Sequence, residues 1–280
     1  MQRSPRQLPL AADDGLARRY FGMHGRETLA QSKVPQVTLV FWIIKIAATT
    51  LGETAGDALS MTADLGYAAS TAIFFAVFLA VVVAQIRARS FHPFLYWAVI
   101  VATTTAGTTM ADFADRSLGI GYVGGSLILL AILLLVLGAW RVTIGDVSVG
   151  NITAPKVEIF YWTTILFSNT LGTALGDFLA DDSGLGYEGG ALVFAGVLAL
   201  VAAAYFFTRI SRTWLFWLAF ILTRPLGATL GDLLTKPIAN GGLDLSRISS
   251  SSVIAVFMIG CILLVSQKAG SHSQRDARGA

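Results

Sequence analysis

Two kinds of apolar segment alternate along the chain. One kind is unbroken, as in Ser126–Ala139 and Ala191–Ala204. The other carries a stripe at every fourth residue, and a four-residue step follows one face of an α-helix. The first stripe reads Lys45, Thr49, Glu53, Asp57 and the second Ile100, Thr104, Thr108, Asp112. The third reads Ile165, Asn169, Thr173, Asp177 and the fourth Phe220, Arg224, Ala228, Asp232. With their flanks, both kinds reach the roughly 20 residues that cross a bilayer. The pattern predicts an all-α transmembrane fold, an eight-helix bundle in which four striped helices (A) alternate with four plain ones (B).

The stripes belong to an internal repeat. Trp42, Trp97, Trp162 and Trp217 are each followed ten residues later by a glycine (Gly52, Gly107, Gly172, Gly227) and fifteen residues later by an aspartate. An aromatic residue precedes each Trp: Phe41, Tyr96, Tyr161 and Phe216. Gly-Tyr turns follow at 66–67, 121–122 and 186–187, whereas the fourth turn, Lys236 to Arg247, is longer and has Gly242 at the tyrosine position. Each unit therefore reads as a helical hairpin. Successive Trp lie 55, 65 and 55 residues apart, so the hairpins group into halves at 33–141 and 155–268. A polar linker at 142–154 joins the halves, and tails at 1–32 and 269–280 flank them.

Lys and Arg set the expected orientation. The first tail carries Arg3, Arg6, Arg18, Arg19, Arg26 and Lys33, the segments between hairpins Arg87, Arg89, Arg141, Lys156, Arg209 and Arg212, and the last tail Lys268, Arg275 and Arg278. The turns within hairpins carry only Arg116, Lys236 and Arg247. Both termini are expected on the cytoplasmic side, with the Asp ends facing out. Two spans per unit give every copy the same orientation, so the repeats are parallel, related about the membrane normal. The Trp and its aromatic neighbour are expected as anchors in the cytoplasmic interfacial belt. Fifteen helical residues then put each Asp about 22 Å away, in the outer half of the bilayer.

Composition agrees with lipid as the solvent. The 280 residues are 55% hydrophobic and 13% charged, with mean hydropathy +0.68; soluble domains carry about 25% charge. A net charge of +3 falls between spans, as topology demands, so nucleic acid is not an expected partner. Cys261 is the only cysteine and is read as packing. No cofactor is expected: His24, His92 and His272 lie outside the spans, so bis-histidine haem has no ligands. No phosphate loop or nucleophile–base pair points to an enzyme. No oligomeric state follows.

The stripes hold the candidate chemistry. Charged groups in hydrocarbon cost at least about 2.5 kcal/mol, so the stripes should face the bundle interior. Small-xxx-small pairs, Gly52/Gly56, Gly107/Ala111, Gly172/Gly176 and Gly227/Gly231, should let A helices approach closely and gather their Asp ends. Glu53, Asp57, Asp112, Asp177 and Asp232, with Thr49, Thr104 and Asn169, then form a candidate ion-binding set. Lys45 and Arg224 serve as internal counter-charges. Five carboxylates against two cations leave a surplus of about −3, which calls for protons or a hard cation such as magnesium, calcium or manganese. The expected activity is that of a secondary transporter or permease for a cation or protons. A membrane scaffold, sensor or complex subunit is the alternative, in which each Asp anchors a helix end. The outer acids Asp64, Asp115, Asp181, Asp182 and Glu188 are expected to be solvated.

The first unit, KVPQVTLVFWIIKIAATTLGETAGD followed by LGY, resembles a bacterial family of integral membrane proteins defined by a repeat of unknown function. The resemblance covers roughly 33–268. The second and fourth units depart from the pattern, with Thr108 and Ala228 in place of the glutamate. It implies a bacterial inner-membrane protein and names no substrate.

Overall fold

The computed structural model describes residues 32–149, 152 and 154–270. The expected tails 1–32 and 269–280 lie almost wholly outside that range. Among the described residues the chain forms eight α-helices and no strand. These are α1 (Leu39–Asp57), α2 (Gly66–Arg87), α3 (Pro93–Asp112), α4 (Tyr122–Ile144), α5 (Pro155–Asp177), α6 (Gly186–Phe207), α7 (Arg212–Thr235) and α8 (Arg247–Leu264). The odd-numbered helices are the A helices. All but α5 are long and apolar enough to cross a membrane. Lys156 and Glu158, followed by Thr163, Thr164, Ser168, Asn169, Thr170 and Thr173, keep α5 less hydrophobic than the rest.

Local chemistry sets the helix boundaries. Thr38 caps α1 by accepting the Phe41 N–H at 3.3 Å, which satisfies a donor that has no partner within the helix. α3 and α5 begin at Pro93 and Pro155, where a missing N–H costs nothing. Past its Asp, each of the first three A helices widens into one π-turn: Ala58–Thr62, Phe113–Ser117 and Phe178–Asp182. Such single π-turns often occur at functional sites. Gly66, Gly121 and Gly186 follow with φ of 73°, 76° and 66°, a backbone region open to glycine at little cost. That conformation accounts for the Gly of each Gly-Tyr turn.

The A helices pack as a closed ring, α1 to α3 to α5 to α7 and back to α1. Each B helix finds its main partner in the A helix of the next unit: α2 on α3, α4 on α5, α6 on α7, and α8 on α1. The best membrane-length windows of α1, α3 and α7 are 61–72% buried, against 6–22% for the B helices. The ring is therefore the core and the B helices its shell. Their outward faces carry apolar side chains such as Phe75, Leu79, Leu134, Leu200 and Val256.

Glycine decides how close the ring helices come. A Cβ on Gly52 would collide with Thr104, one on Gly107 would press against Asn169 and Thr170, one on Gly172 would collide with Arg224, and one on Gly227 with Thr49. Each glycine thus receives the neighbouring helix, as the small-residue spacing predicts. Thr104 and Thr49 then donate across the contacts to the carbonyls of Ala48 at 3.2 Å and Thr223 at 3.1 Å.

The aromatic pairs close a second ring, away from the Asp ends. Phe41 meets Trp97 (5.5 Å between ring centres), Tyr96 meets Trp162 (5.7 Å), Tyr161 meets Trp217 (6.2 Å) and Phe216 meets Trp42 (5.7 Å). The expectation of interfacial Trp anchors is corrected here, because Trp97, Trp162 and Trp217 are buried. Each indole packs between units instead. Tyr96 and Tyr161 share a hydrogen bond of 2.8 Å, and the Trp217 indole donates to the Val147 carbonyl of the linker at 2.9 Å.

The seam between first and last units is fastened by backbone. Gln36 N–H donates to Lys268 at 3.0 Å and Gly270 N–H to Val34 at 2.8 Å. Lys33 is buried rather than free in a tail: it pairs with Glu158 at 2.6 Å and donates to the Ile86 carbonyl at 2.9 Å.

Candidate functional site

The four stripes face the ring interior as layers about one helical turn apart. In the innermost layer Lys45 is fully buried. It donates to Asn169 Oδ1 at 3.5 Å and lies 4.2 Å from the centre of the Phe220 ring. Lys45 makes no ion pair among the described residues, which corrects its expected place as a counter-charge to the carboxylates. Asn169 is fixed on its other side by donating to Thr103 at 3.0 Å.

The next layers explain why the fourth unit departs from the repeat. Glu53, Thr108, Thr173 and Ala228 occupy equivalent positions, and Arg224 stands one turn before Ala228. The guanidinium is buried and reaches the level of Glu53 and Thr173. It pairs with Glu53 at 2.9 Å, donates to Thr173 at 2.6 Å and also donates to Thr108. One side chain of α7 thereby ties together α1, α3 and α5. The carboxylate partner of Arg224 is Glu53.

The Asp layer splits into two bridged pairs. Arg116 lies 2.9 Å from Asp112 and 3.3 Å from Asp177. Lys236 lies 2.9 Å from Asp57 and 3.0 Å from Asp232, and Arg247 comes within 3.6 Å of Asp57. The four aspartates are at most 2% exposed. The expected surplus of negative charge is thus corrected: Arg116, Lys236 and Arg247, read from sequence as turn charges, balance it. Burial alone would push the Lys236 ammonium toward losing its proton. Asp232 and Asp57 outweigh that effect and hold its pKa above the ordinary value.

The sequence contained a signal for two of these cations. Arg116 follows Asp112 by four residues and Lys236 follows Asp232 by four, so each stands one turn beyond its Asp. Such i, i+4 neighbours meet on a helix. Of the outer acids, Asp115 is buried, against expectation, and neither carboxylate oxygen has a hydrogen-bond partner among the described residues. Asp181 accepts from Tyr122 and Tyr187, both at 3.2 Å, and lies 3.7 Å from Arg116.

The same four units are found by comparison with known proteins. Residues 40–91, 95–145, 160–211 and 215–268 each match the Repeat of Unknown Function DUF347. The chain belongs to this family. No curated protein and no solved structure matches it. The DUF347 boundaries assign one A helix and the following B helix to each repeat, so every contact in the A ring joins different repeats. The bridged Asp pairs join repeat two to three and repeat four to one.

Three carboxylates, of Glu53, Asp57 and Asp232, each offer an oxygen within 4.8 Å of the others. Oxygen donors of this kind suit hard cations. Thr49 and Thr104 hydrogen-bond to backbone carbonyls of their own and neighbouring helices, and thereby hold helices together below this layer.

Proposed function

We propose that this DUF347 protein crosses the bilayer eight times and acts as a secondary transporter or permease for a hard cation or for protons, exchanged at the carboxylates of its A helices. The apolar shell supports the membrane reading, because soluble monomers rarely expose apolar patches beyond a few hundred Å². Such a shell suits lipid, with polar stripes turned inward.

One observation carries the transport reading. The five stripe carboxylates, Glu53, Asp57, Asp112, Asp177 and Asp232, are all buried toward one end of the ring of A helices, and the cations beside the Asp pairs are long side chains at the ring's edge; the side chain of Arg116 is 30% exposed, that of Arg247 22% and that of Lys236 10%. Such groups stand where a transported cation would stand and can yield to it. The buried Arg224 and the aromatic ring then close the axis beyond, as a transporter requires in a state open to one side at most.

The distribution of exposed charge supports a placement in a bacterial inner membrane. Arg87, Arg89, Arg141, Lys156, Arg209 and Arg212 are exposed where one hairpin gives way to the next, and that end would face the cytoplasm by the positive-inside rule. A scaffold, sensor or complex subunit is the second reading. The pairing of all four stripe aspartates with Arg116 or Lys236 favours it.

The test is thermal stability in nanodiscs against magnesium, calcium, manganese and pH, comparing wild type with Glu53→Gln plus Asp57→Asn. A ligand at 100 times its dissociation constant should stabilise by about 2.7 kcal/mol. Selective stabilisation by one ion, lost in the variant, supports ion handling. Identical, flat responses of both proteins would favour the scaffold.

A further inference from the structure

The two bridged Asp pairs are not equivalent. Between repeats two and three, Thr108 and Thr173 stand at the glutamate position, so Asp112 and Asp177 have no third carboxylate from that layer. Arg116, within a π-turn, bridges them. Between repeats four and one, Glu53 adds a third carboxylate to Asp57 and Asp232. The Oδ1 of Asp57 is buried there with no hydrogen-bond partner among the described residues.

The cations at this second pair share one origin. Lys236 begins the turn between α7 and α8, and Arg247 is the first residue of α8. This is the one turn that departs from the repeat pattern. Its backbone is fastened to α7, with Leu243 N–H donating to Leu233 at 2.8 Å and Leu245 N–H to Leu234 at 2.9 Å. Its hold on α1 includes Lys236 and Arg247 at the same Asp57 oxygen, at 2.9 and 3.6 Å. Both are long side chains that border solvent.

Charge and size then point to the occupant. Arg224 neutralises Glu53, which leaves a charge of −2 on Asp57 and Asp232. Lys236 and Arg247 together supply +2, the charge of one divalent cation. Calcium binds oxygen at about 2.3–2.6 Å, so oxygens on opposite sides of it lie about 4.6–5.2 Å apart. Three carboxylates that each bring an oxygen within 4.8 Å of the others can therefore hold one such ion between them.

We propose that Glu53, Asp57 and Asp232 form a divalent-cation site, and that the turn from Lys236 to Arg247 carries a tethered double charge that competes with the metal for it. When the two side chains swing toward solvent, the metal takes their place. When they return, they expel it without leaving buried charge unpaired. This deepens the transport reading and rests on it, by assigning the ion to one of the two Asp pairs and its release to one turn.

The test is manganese binding to purified protein in nanodiscs, read by calorimetry and by the electron paramagnetic resonance of bound manganese. Lys236→Gln plus Arg247→Gln is expected to bind manganese more than about tenfold tighter than wild type, since two nearby repelling charges are gone. Lys236→Arg keeps the charge and should bind as wild type does. Adding Asp57→Asn to the double variant should abolish the gain, and adding Asp112→Asn should leave it. Should the double variant not fold, Arg247→Gln alone carries the same test with a smaller gain. The proposal is overturned if removing the two charges leaves affinity unchanged, or if the gain survives Asp57→Asn. Cation or proton flux that is lost in Asp112→Asn but kept in Asp57→Asn would overturn this site while leaving the transport reading standing.

Discussion

Arg224 and Glu53 meet at 2.9 Å across the α7–α1 contact, and both are buried from solvent. Glu53 belongs to the first repeat and Arg224 to the fourth, so the pair closes the ring where the chain's ends meet. Removing one partner of a buried pair leaves an uncompensated charge and costs about 3–5 kcal/mol. Arg224→Met is expected to cost that much in thermal or detergent-induced unfolding. Arg224→Met combined with Glu53→Gln should recover a large part of it, because the lone charge is gone. A double variant as unstable as the sum of the two singles would show that the residues do not act as a pair.

The glycine contacts predict a contrast between positions of similar sequence character. Gly227→Ala places a methyl against Thr49 and should destabilise by about 1–3 kcal/mol, the usual range for overpacking. Gly196→Ala in α6 meets open space and should leave stability unchanged or slightly raised. Unfolding midpoints of the two variants in the same lipid check this, and equal losses would contradict the ring packing.

The tyrosine pair at the aromatic end makes a third case. Tyr96→Phe should cost about 1 kcal/mol, the net worth of a typical hydrogen bond, with at most a further penalty for a stranded hydroxyl. Tyr161→Phe should cost the same, and the double variant no more than either single one. Additive losses would mean that the 2.8 Å contact is not where the stability lies.

Lys236 predicts a pH response. Its pKa is raised in the folded protein by Asp232 and Asp57 against the opposing effect of burial. Its contribution is therefore complete below the unfolded lysine value of about 10.4. It is lost only as pH rises through the higher folded value. Between about pH 6 and pH 9, the stability gap between wild type and Lys236→Gln should stay constant. A gap that closes within that range would show that Lys236 gives up its proton there.

Much of the core was legible in the sequence because the repeat fixes positions relative to one another. The fourth-residue spacing placed Asp57, Asp112, Asp177 and Asp232 on inward faces, and the glycine ten residues after each Trp marked the contacts between A helices. What a single unit cannot show is its neighbour. The Trp of each repeat packs on the aromatic residue of the preceding repeat, so a helix read alone suggested an anchor at the membrane surface. Arg116 and Lys236 were read as turn charges because they follow the spans. Their spacing of four from Asp112 and Asp232 already put them one turn above. Lys33 and Glu158, 125 residues apart, left no local pattern at all.

The central claim is that ions pass through, or exchange at, the carboxylates of the A ring. It is tested most directly by flux into vesicles reconstituted with the full chain, using indicators for protons, magnesium, calcium and manganese. Wild type is predicted to carry at least one of these down its gradient. Asp57→Asn, folded and inserted to the same extent, is predicted to abolish that flux. A wild-type protein that carries none of them, or an unchanged flux in the variants of all five carboxylates, would contradict the account.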